Sequence, residues 1–320
     1  MKILAVLIAV WNGFGALTVF AQDSPLAIMA ARVGTTTFRA ADDIAKVAAS
    51  CGLGFEAVES QGSLENLLAV NDRPLTPVAI VQGDFLEYLR TFEADDPKIA
   101  EKIGRIAVIA PLFSQEVHVV AGGEVSAMAD LSGRKIAIGE AESGSFLTAR
   151  VILDLLGIVP SEFVETAPAE ALAALQAGEI DAMFLVDGAP SELLLNTALE
   201  PAKFRLLPLD EPVLAAAYAQ AIIPAGTYAI APADTVVATV STVMIGFNFD
   251  AQSPSAYLKS NCAAVAGIAS ILSQHKSELL ALGHPKWSEL DAGVPVVDWT
   301  RTECAEKGFK PDFILACTAP

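Results

Sequence analysis

Short apolar runs alternate with segments of helical periodicity along the first part of the chain. The apolar runs predict strands at 26–31, 55–59, 78–81, 103–109 and 117–121. Helical periodicity predicts two helices, at 40–50 and 64–70, between the first three of these strands. This strand–helix rhythm is typical of a parallel sheet with helices on its faces, and it predicts an α/β fold.

The same alternation continues from about residue 122 onward. It predicts strands at 136–139, 163–166, 180–186 and 204–207, and helices at 144–156, 170–177, 191–198 and 213–220. Segments 222–230 and 236–247, the second strongly β-branched, then resemble the first sheet again, and 255–282 predicts a long helix or a helical hairpin. A short helix is expected near 302–307, so the last part of the chain adds to the first sheet and forms no third domain.

The order of these elements predicts two lobes, with the chain passing from one to the other and back. Lobe 1 would comprise residues 22–121 and 225–320, and lobe 2 residues 122–224. Crossings near 118–124 and 221–228 would form a hinge of two strands. Two α/β lobes joined in this way leave a cleft between them, where ligands bind.

The N-terminal segment has the pattern of a secretory signal peptide. Met1 and Lys2 give a positive start, and the apolar stretch 3–20 ends in the small-residue pattern of a cleavage site at Ala21. We expect residues 1–21 to be removed on export to the periplasm. The alternative is an uncleaved anchor, which the glycines and the cleavage pattern disfavour. No cysteine stands at the cleavage point, so a lipoprotein is not expected.

Composition narrows the class of partner. The chain has 320 residues, 53% of them hydrophobic, and a net charge of −18. No run of 18 apolar residues follows the N-terminal segment, so a soluble exported protein is predicted. The negative charge opposes binding to nucleic acid or to an anionic membrane surface. It does not exclude an acidic ligand, because local backbone donors can bind an acid.

The four cysteines, Cys51, Cys262, Cys304 and Cys317, suggest disulfides in an exported chain. The sequence leaves all three full pairings open. Three of the cysteines lie within the last 60 residues, which favours a bridge that holds the C-terminal tail. The sequence contains no CxxC pair and no His/Cys cluster, so no metal site is predicted.

Three junctions between a predicted strand and a predicted helix are rich in glycine or hydroxyl side chains. They lie at 33–38, 60–66 and 139–146 and come from both predicted lobes. Free N–H groups in the first turn of a helix can bind a carboxylate or a phosphate. Each junction alone could be an ordinary helix cap. If the three converge on one cleft, they form a cage of donors.

The ligand-binding candidates are polar or glycine residues in these three junctions, together with four residues elsewhere in the chain. They are Thr35, Thr36, Thr37, Arg39, Gln61, Gly62, Ser63, Asn66, Gln82, Ser143, Gly144, Ser145, Asp187 and Tyr228. Arg39 could pair with a ligand carboxylate or face solvent, and Asp187 could accept a ligand ammonium or be a turn carboxylate. Gln82 could contact ligand or a loop, and Tyr228 could stack on ligand or pack at the hinge.

The residues give little support to catalysis or to a bound cofactor. The three histidines, at 118, 275 and 284, lie far in sequence from the serine-containing junctions. Ser145 lacks the GxSxG context of a nucleophile, and 139–144 matches neither GxGxxG nor a phosphate-binding loop. We therefore predict a binding protein without cofactor. A hydrolase would need a histidine within reach of Ser143 or Ser145.

A series of short motifs in fixed order resembles the TAXI-type solute-binding proteins of TRAP transporters. The motifs are Gln61-Gly62-Ser63-Leu64-Glu65-Asn66, Val81-Gln82-Gly83-Asp84, Leu131-Ser132-Gly133-Arg134-Lys135-Ile136, Ser143-Gly144-Ser145, Leu175–Ala182, Gly188-Ala189-Pro190, Ile223–Tyr228 and His284-Pro285-Lys286-Trp287. Each motif is weak alone, but the ordered series spans nearly the whole exported chain.

The resemblance implies a two-lobed type II periplasmic-binding-protein fold that closes around its ligand. It also implies delivery of an amino acid or an organic acid, such as glutamate or a 2-oxo acid, to an ion-driven TRAP-type permease. By position, the implied ligand contacts are Thr35, Thr36, Thr37, Gln61, Ser63, Asn66, Gln82, Ser143, Gly144, Ser145 and Asp187.

The first junction departs from the family pattern. The family has a glycine-rich loop that ends in paired aromatics, whereas this chain has Gly34-Thr35-Thr36-Thr37-Phe38-Arg39. Arg39 stands where the second aromatic would fall, which leaves room for a more acidic ligand or for a changed role. Two roles therefore compete: solute capture for transport, and a ligand-sensing subunit that signals to a membrane kinase.

Overall fold

The computed structural model describes residues 24–93 and 95–318, so the predicted signal peptide lies outside the described part. The strands are β1 (Leu26–Met29), β2 (Phe55–Val58), β3 (Val78–Gln82), β4 (Ile106–Gly122), β5 (Lys135–Ala137), β6 (Glu162–Val164), β7 (Ala182–Asp187), β8 (Phe204–Leu206), β9 (Ala219–Ile223) and β10 (Thr235–Phe247). The helices are α1 (Thr36–Ser50), α2 (Ser63–Asp72), α3 (Gly83–Phe92), α4 (Pro97–Gly104), α5 (Gly144–Leu155), α6 (Pro168–Ala177), α7 (Glu192–Leu195), α8 (Pro212–Ala217), α9 (Ala256–Gln274), α10 (Lys276–Ala281) and α11 (Glu303–Gly308).

All ten strands form one mixed sheet in the order β2-β1-β3-β10-β4-β7-β5-β6, with β8 beside β4 and β9 beside β10. At one side, β1 pairs in parallel with β2 and β3, and at the other β5 pairs in parallel with β6 and β7. We call these two sides the first half and the second half of the sheet. The two central strands, β4 and β10, run antiparallel to each other and to their outer neighbours. The predicted parallel sheet is therefore correct for each half and wrong for the centre.

Strand β4 is a single strand of 17 residues, although the sequence predicted two strands. Pro111 and the polar run 114–116 interrupt its apolar pattern, which produced the false break. Residues 106–116 pair with β10, and residues 116–121 pair with β7. One continuous strand therefore belongs to both halves of the sheet.

Strand β10 makes the corresponding connection in the opposite direction. Its residues 235–239 pair with β9, and its residues 242–246 pair with β3. Strand β9 overlaps only the start of the predicted sheet-like segment 222–230, since the helix predicted at 213–220 ends at Ala217 and the strand begins at Ala219. The two halves of the sheet are thus joined by two long strands.

Buried apolar side chains cover both faces of each half. In the first half, Ile28, Ile44 and Ile268 join β1 to α1 and α9, and Leu67 joins α2 to the other face. In the second half, Ile152 belongs to the cluster that covers one face of β5 and β7. Each half therefore has its own packed interior. Among the described residues, none of the helices combines the length and the apolar character that a membrane crossing requires.

Two disulfides hold the C-terminal part of the chain. Cys51, at the end of α1, is bonded to Cys317, and Cys262 of α9 is bonded to Cys304 of α11. The first bridge fixes the tail, as the sequence favoured. The second joins two helices that pack against the first half of the sheet.

Candidate ligand-binding site

A small, partly open cavity of about 70 Å³ lies between the two halves of the sheet. The junctions β1–α1, β2–α2 and β5–α5 all contribute to its wall. Ten of the fourteen predicted residues line it: Thr35, Thr37, Gln61, Gly62, Ser63, Asn66, Gln82, Ser143, Gly144 and Ser145. The structure therefore brings the three sequence junctions together at one place. Thr36, Arg39, Asp187 and Tyr228 do not line this cavity.

Asp187 and Thr36 bind each other instead of facing the cavity. The Thr36 N–H donates to Asp187 Oδ1 at 2.8 Å, and the Ser191 hydroxyl donates to Asp187 Oδ2 at 2.7 Å. Burial raises the pKa of this carboxyl, while these hydrogen bonds lower it. Both carboxylate oxygens are thus used by the protein, and Asp187 binds the N-terminus of α1 where a ligand ammonium was expected.

Arg39 and Tyr228 also have protein partners away from the cavity. Arg39 pairs with Asp43 at 3.0 Å and donates to the Leu282 carbonyl at 3.1 Å. The buried Tyr228 hydroxyl lies 2.9 Å from His118 Nε2 and accepts from the Ser191 N–H at 2.7 Å. Burial lowers the pKa of His118 to about 4, so this ring is neutral at physiological pH. These side chains pack the region behind the cavity.

The N-termini of α2 and α5 provide backbone donors at the cavity wall. No side chain caps α2, so the N–H groups of its first turn, which begins at Ser63, have no partner within the helix. In α5 the Ser143 hydroxyl accepts from the Phe146 N–H at 3.1 Å. The N–H groups of Gly144 and Ser145, in the same first turn, then have no acceptor within the helix. Both helix ends carry partial positive charge. An anion between them would be stabilised from both sides.

Two glycines allow these helix ends to approach each other. Gly62 has φ of +142°, and a Cβ there would lie 2.8 Å from the Ser143 Cα atom. A Cβ at Gly144 would overlap the side-chain amide of Gln82. A side chain at Gly62 would push against the backbone of the other half of the sheet, and one at Gly144 would displace the Gln82 side chain that packs there.

Two serine hydroxyls in the cavity accept backbone hydrogen bonds. Ser63 Oγ accepts from the Gln82 N–H at 3.1 Å, and Ser145 Oγ accepts from the Val186 N–H at 3.1 Å. Since a hydroxyl can accept and donate at the same time, each one keeps its proton for a ligand. The serines therefore fix the wall and also offer donors to the cavity.

Two buried side-chain amides of the cavity wall each have an oxygen without a partner among the described residues. Asn66 donates from Nδ2 to the Ile80 carbonyl at 2.7 Å and to the Ala30 carbonyl, which leaves Oδ1 unpaired. Gln82 donates from Nε2 to Gln115 Oε1 at 3.5 Å, which leaves its own Oε1 unpaired among the described residues. Asn66 is 1% exposed and Gln82 is 8% exposed. Unpaired buried acceptors are costly and usually have a ligand or water partner.

The charged groups of the cavity wall are Arg32 and Glu140, which the sequence analysis missed. Arg32 Nε donates to Glu140 Oε2 at 2.8 Å, and Arg32 Nη2 donates to Oε1. The hydrogen bonds that Arg32 donates to Glu140 raise the pKa of Arg32. Their positions shortly after β1 and β5 were the available signal, because carboxyl ends of strands in one sheet meet at its edge.

Asp84 makes a second contact between the halves. At the start of α3, its Oδ2 accepts from the Thr148 hydroxyl of α5 at 2.6 Å. Burial raises the pKa of Asp84 to about 6. The carboxyl is fully enclosed only when α3 and α5 lie together.

The fold also assembles a histidine and two cysteines that are distant in sequence. His275 Nε2 lies 3.6 Å from Cys317 Sγ, and Cys51 is close to both. The sequence showed no His/Cys cluster because these residues lie on α1, between α9 and α10, and in the tail. Both sulfurs are in the disulfide, so the group is not arranged as a set of free ligands.

Two sheet halves, two long connecting strands and a cavity between opposing helix N-termini define the two-lobed periplasmic-binding-protein fold. The chain belongs to the NMT1-like family, whose sequence model matches residues 28–257.

Solved structures with a similar arrangement are remote in sequence. The periplasmic binding protein BugD is 11% identical, with a TM-score of 0.51 over 90% of this chain and 94% of that chain. The ligand-binding core of GluR0 from Nostoc punctiforme, in complex with L-glutamate, is 17% identical, with a TM-score of 0.48 over 83% of this chain and 100% of that chain. The aliphatic sulphonate binding protein SsuA from Escherichia coli is 17% identical, with a TM-score of 0.43 over 84% and 80%. All three are binding proteins.

Proposed function

We propose that this protein is a periplasmic solute receptor that captures a small organic anion between two lobes. The observation that carries the proposal is the approach of two helix N-termini, at Ser63 and Gly144, to one cavity. Their N–H groups and the adjacent serine hydroxyls form a donor-rich site. This local site attracts an anion although the chain as a whole is negative, since the donors are fixed and close to the ligand.

The lobes of this proposal follow the two halves of the sheet, so lobe 2 extends beyond the predicted 122–224 on both sides, to the points where β4 and β10 pass between the halves. Opening would bend β4 and β10 where each passes from one half of the sheet to the other, near 114–116 and 239–241. The contacts Arg32–Glu140 and Asp84–Thr148 join the two halves and would break on opening. A ligand that bridges the same surfaces would favour the closed form.

The motif series supports a finer assignment to the TAXI type, with a TRAP-type permease as the partner that receives the ligand. On this assignment the ligand is an amino acid or an organic acid, such as glutamate or a 2-oxo or dicarboxylic acid. The receptor binds and releases its ligand unchanged, so the proposal requires no catalytic residue and no cofactor.

A thermal-shift screen with amino acids, 2-oxo acids, dicarboxylic acids and small sugars tests the proposal. A ligand at 100 times its dissociation constant adds about 2.7 kcal/mol of stability. We expect acids to shift the unfolding temperature and sugars to have no effect. Protein that is folded and free of copurified ligand, but that responds to no acid, would contradict the proposal.

Gly144→Ala gives the structural counterpart of this screen. The added methyl overlaps the Gln82 amide, so it should oppose closure while leaving α5 intact. We expect ligand affinity to fall more than about tenfold, equivalent to about 1.4 kcal/mol. Gly104→Ala is the matched control, because a Cβ there meets no atom within 4 Å. Equal affinity in both variants would place the ligand elsewhere.

A further inference from the structure

The cavity has two kinds of polar group, and they make different demands on a ligand. The N-termini of α2 and α5 and the hydroxyls of Ser63 and Ser145 are donors, which suit a carboxylate. The oxygens Asn66 Oδ1 and Gln82 Oε1 are acceptors without a partner among the described residues. A ligand that satisfies both must carry an oxyanion at one end and a hydrogen-bond donor close to it.

The charge of the wall decides which donor is suitable. Glu140 is the carboxylate among the lining residues, and Arg32 already binds it with two hydrogen bonds. A ligand ammonium would therefore lose its water and meet only neutral amide oxygens. Burying a charge in this way is costly. A neutral hydroxyl loses far less on burial and gives the same oxygens the donor they lack.

The size of the cavity limits the ligand further. A volume of about 70 Å³ corresponds to about five to seven water-sized groups. Lactate, with about six non-hydrogen atoms, matches this volume. Glutamate, with about ten, exceeds it. The part of a ligand that lies inside the cavity is therefore limited to about the size of an acid of two to about four carbons.

We propose that the ligand is a short-chain 2-hydroxy acid. Its carboxylate would lie between the N-termini of α2 and α5, and its hydroxyl would donate to Gln82 Oε1, with Asn66 Oδ1 as the neighbouring acceptor. This inference rests on the proposed receptor function and narrows it. The 2-oxo acid of the same length has no donor for these oxygens, and the 2-amino acid brings an uncompensated charge.

Isothermal titration with lactate, pyruvate, alanine and propionate tests this selection, because the four acids differ mainly at the second carbon. We expect lactate to bind at least about tenfold more tightly than each of the others, the effect of one well-formed hydrogen bond. Equal or tighter binding of pyruvate, alanine or propionate would overturn the inference. If none of the four binds but glutamate or 2-oxoglutarate does, the inference is wrong and the receptor function stands. If no acid in either set binds, both are wrong.

Gln82→Met identifies the group responsible for the selection. Methionine keeps the approximate volume and the backbone N–H that donates to Ser63, but removes the amide oxygen. The preference for lactate over pyruvate should fall at least about threefold, with propionate affinity unchanged within about twofold. The control is Gln252→Met, at an exposed position outside the cavity wall. An unchanged lactate preference in a folded Gln82→Met protein would overturn the assignment of Gln82.

Discussion

Arg32 Nε donates to Glu140 Oε2 at 2.8 Å, which joins two residues 108 positions apart in sequence. Arg32 lies shortly after β1 and Glu140 shortly after β5, so the ion pair connects the two halves of the sheet at the cavity. The proposed opening movement would separate these residues, so the pair would contribute only to the closed form. Its strength therefore affects ligand affinity more than the stability of either half.

We expect Arg32→Gln to weaken ligand binding about fivefold, because a half-exposed, two-bond ion pair contributes about 1 kcal/mol. Glu140→Gln should have a similar effect, and the double variant should lose little more than either single one. Lys46→Gln is the control, since the Lys46–Asp42 pair lies within α1 and on its exposed side. Titrations of the four proteins at low and high salt measure the effect. Additive losses in the double variant would show that the pair does not act in closure.

Asp84 predicts a specific pH dependence of stability. Burial raises its pKa to about 6, above the ordinary aspartate value of about 3.9. Between about pH 4 and pH 6 the Asp84 carboxyl is protonated in the folded protein and ionised in the unfolded chain. The free energy of unfolding therefore falls as the pH rises through this window. The Asp84 contribution is complete below about pH 4 and lost above about pH 6. Tyr218 is the neighbouring titratable group, and burial followed by the Asp84 charge raises its pKa.

Asp84→Asn should remove this dependence, because asparagine can still accept from Thr148 but carries no charge. At pH 7 we expect the variant to be more stable than the parent by about 2–3 kcal/mol, and at pH 4 equal to it. Urea unfolding at the two pH values measures the difference. Asp312→Asn, at an exposed position, should change neither value. The same loss of stability from pH 4 to pH 7 in parent and Asp84→Asn protein would contradict the role of Asp84.

The double substitution of Ser63 and Ser145 by alanine should reduce ligand affinity about 100-fold. Each change removes one donor to the ligand, at about 1.4 kcal/mol per hydrogen bond. Each also leaves a backbone N–H, of Gln82 or Val186, without its acceptor. Titration gives the affinity, and circular dichroism shows whether the fold is kept. Ser273→Ala, on α9, is the control, and unchanged affinity in the double variant would refute the site.

Removal of the Cys51–Cys317 disulfide by Cys317→Ser should lower stability by about 2–5 kcal/mol, because the bridge closes a long loop. The loss of structure should begin in the C-terminal tail. The C-terminal tail, in which the Thr318 N–H donates to the Ser50 carbonyl at 2.8 Å, should become accessible to carboxypeptidase. Cys304→Ser should destabilise α11 without the same release of the tail. Equal protection of the tail in parent and Cys317→Ser protein would contradict this assignment.

Much of the fold was predictable because most of its strands and helices are determined by patterns of neighbouring residues. The outer strands and most helices follow from apolar runs and periodicity that neighbouring residues alone produce. The central strand β4 was not predictable, since Pro111 and Glu116 look like breaks until their partners on β10, β7 and the C-terminal part are known. Lys286 binds Glu116 at 2.6 Å, and no local pattern shows that a residue 170 positions away neutralises it.

The cavity wall was predictable to the extent that it consists of helix N-termini. The local geometry of a helix N-terminus favours glycine and serine, so these residues at 60–66 and 139–146 identify the two helix starts in the sequence. The sequence could not decide between the two roles of Asp187, because its partner, the Thr36 N–H, is 151 residues away. Arg32 and Glu140 were missed although each follows the carboxyl end of a strand, because their residue types are also those of ordinary surface charges.

The continuity of β4 has a consequence for how such a protein can evolve. Side chains alternate between the two faces of a strand, so one residue gained or lost within 106–122 would reverse every side chain on one side of the change. The side chains that now fill the core on that side of the change would then point to the opposite face of the sheet. Insertions and deletions should therefore be absent from this segment in related sequences and should accumulate in the surface loops. An alignment of relatives would show β4 as a block of constant length, even where few of its residues are identical.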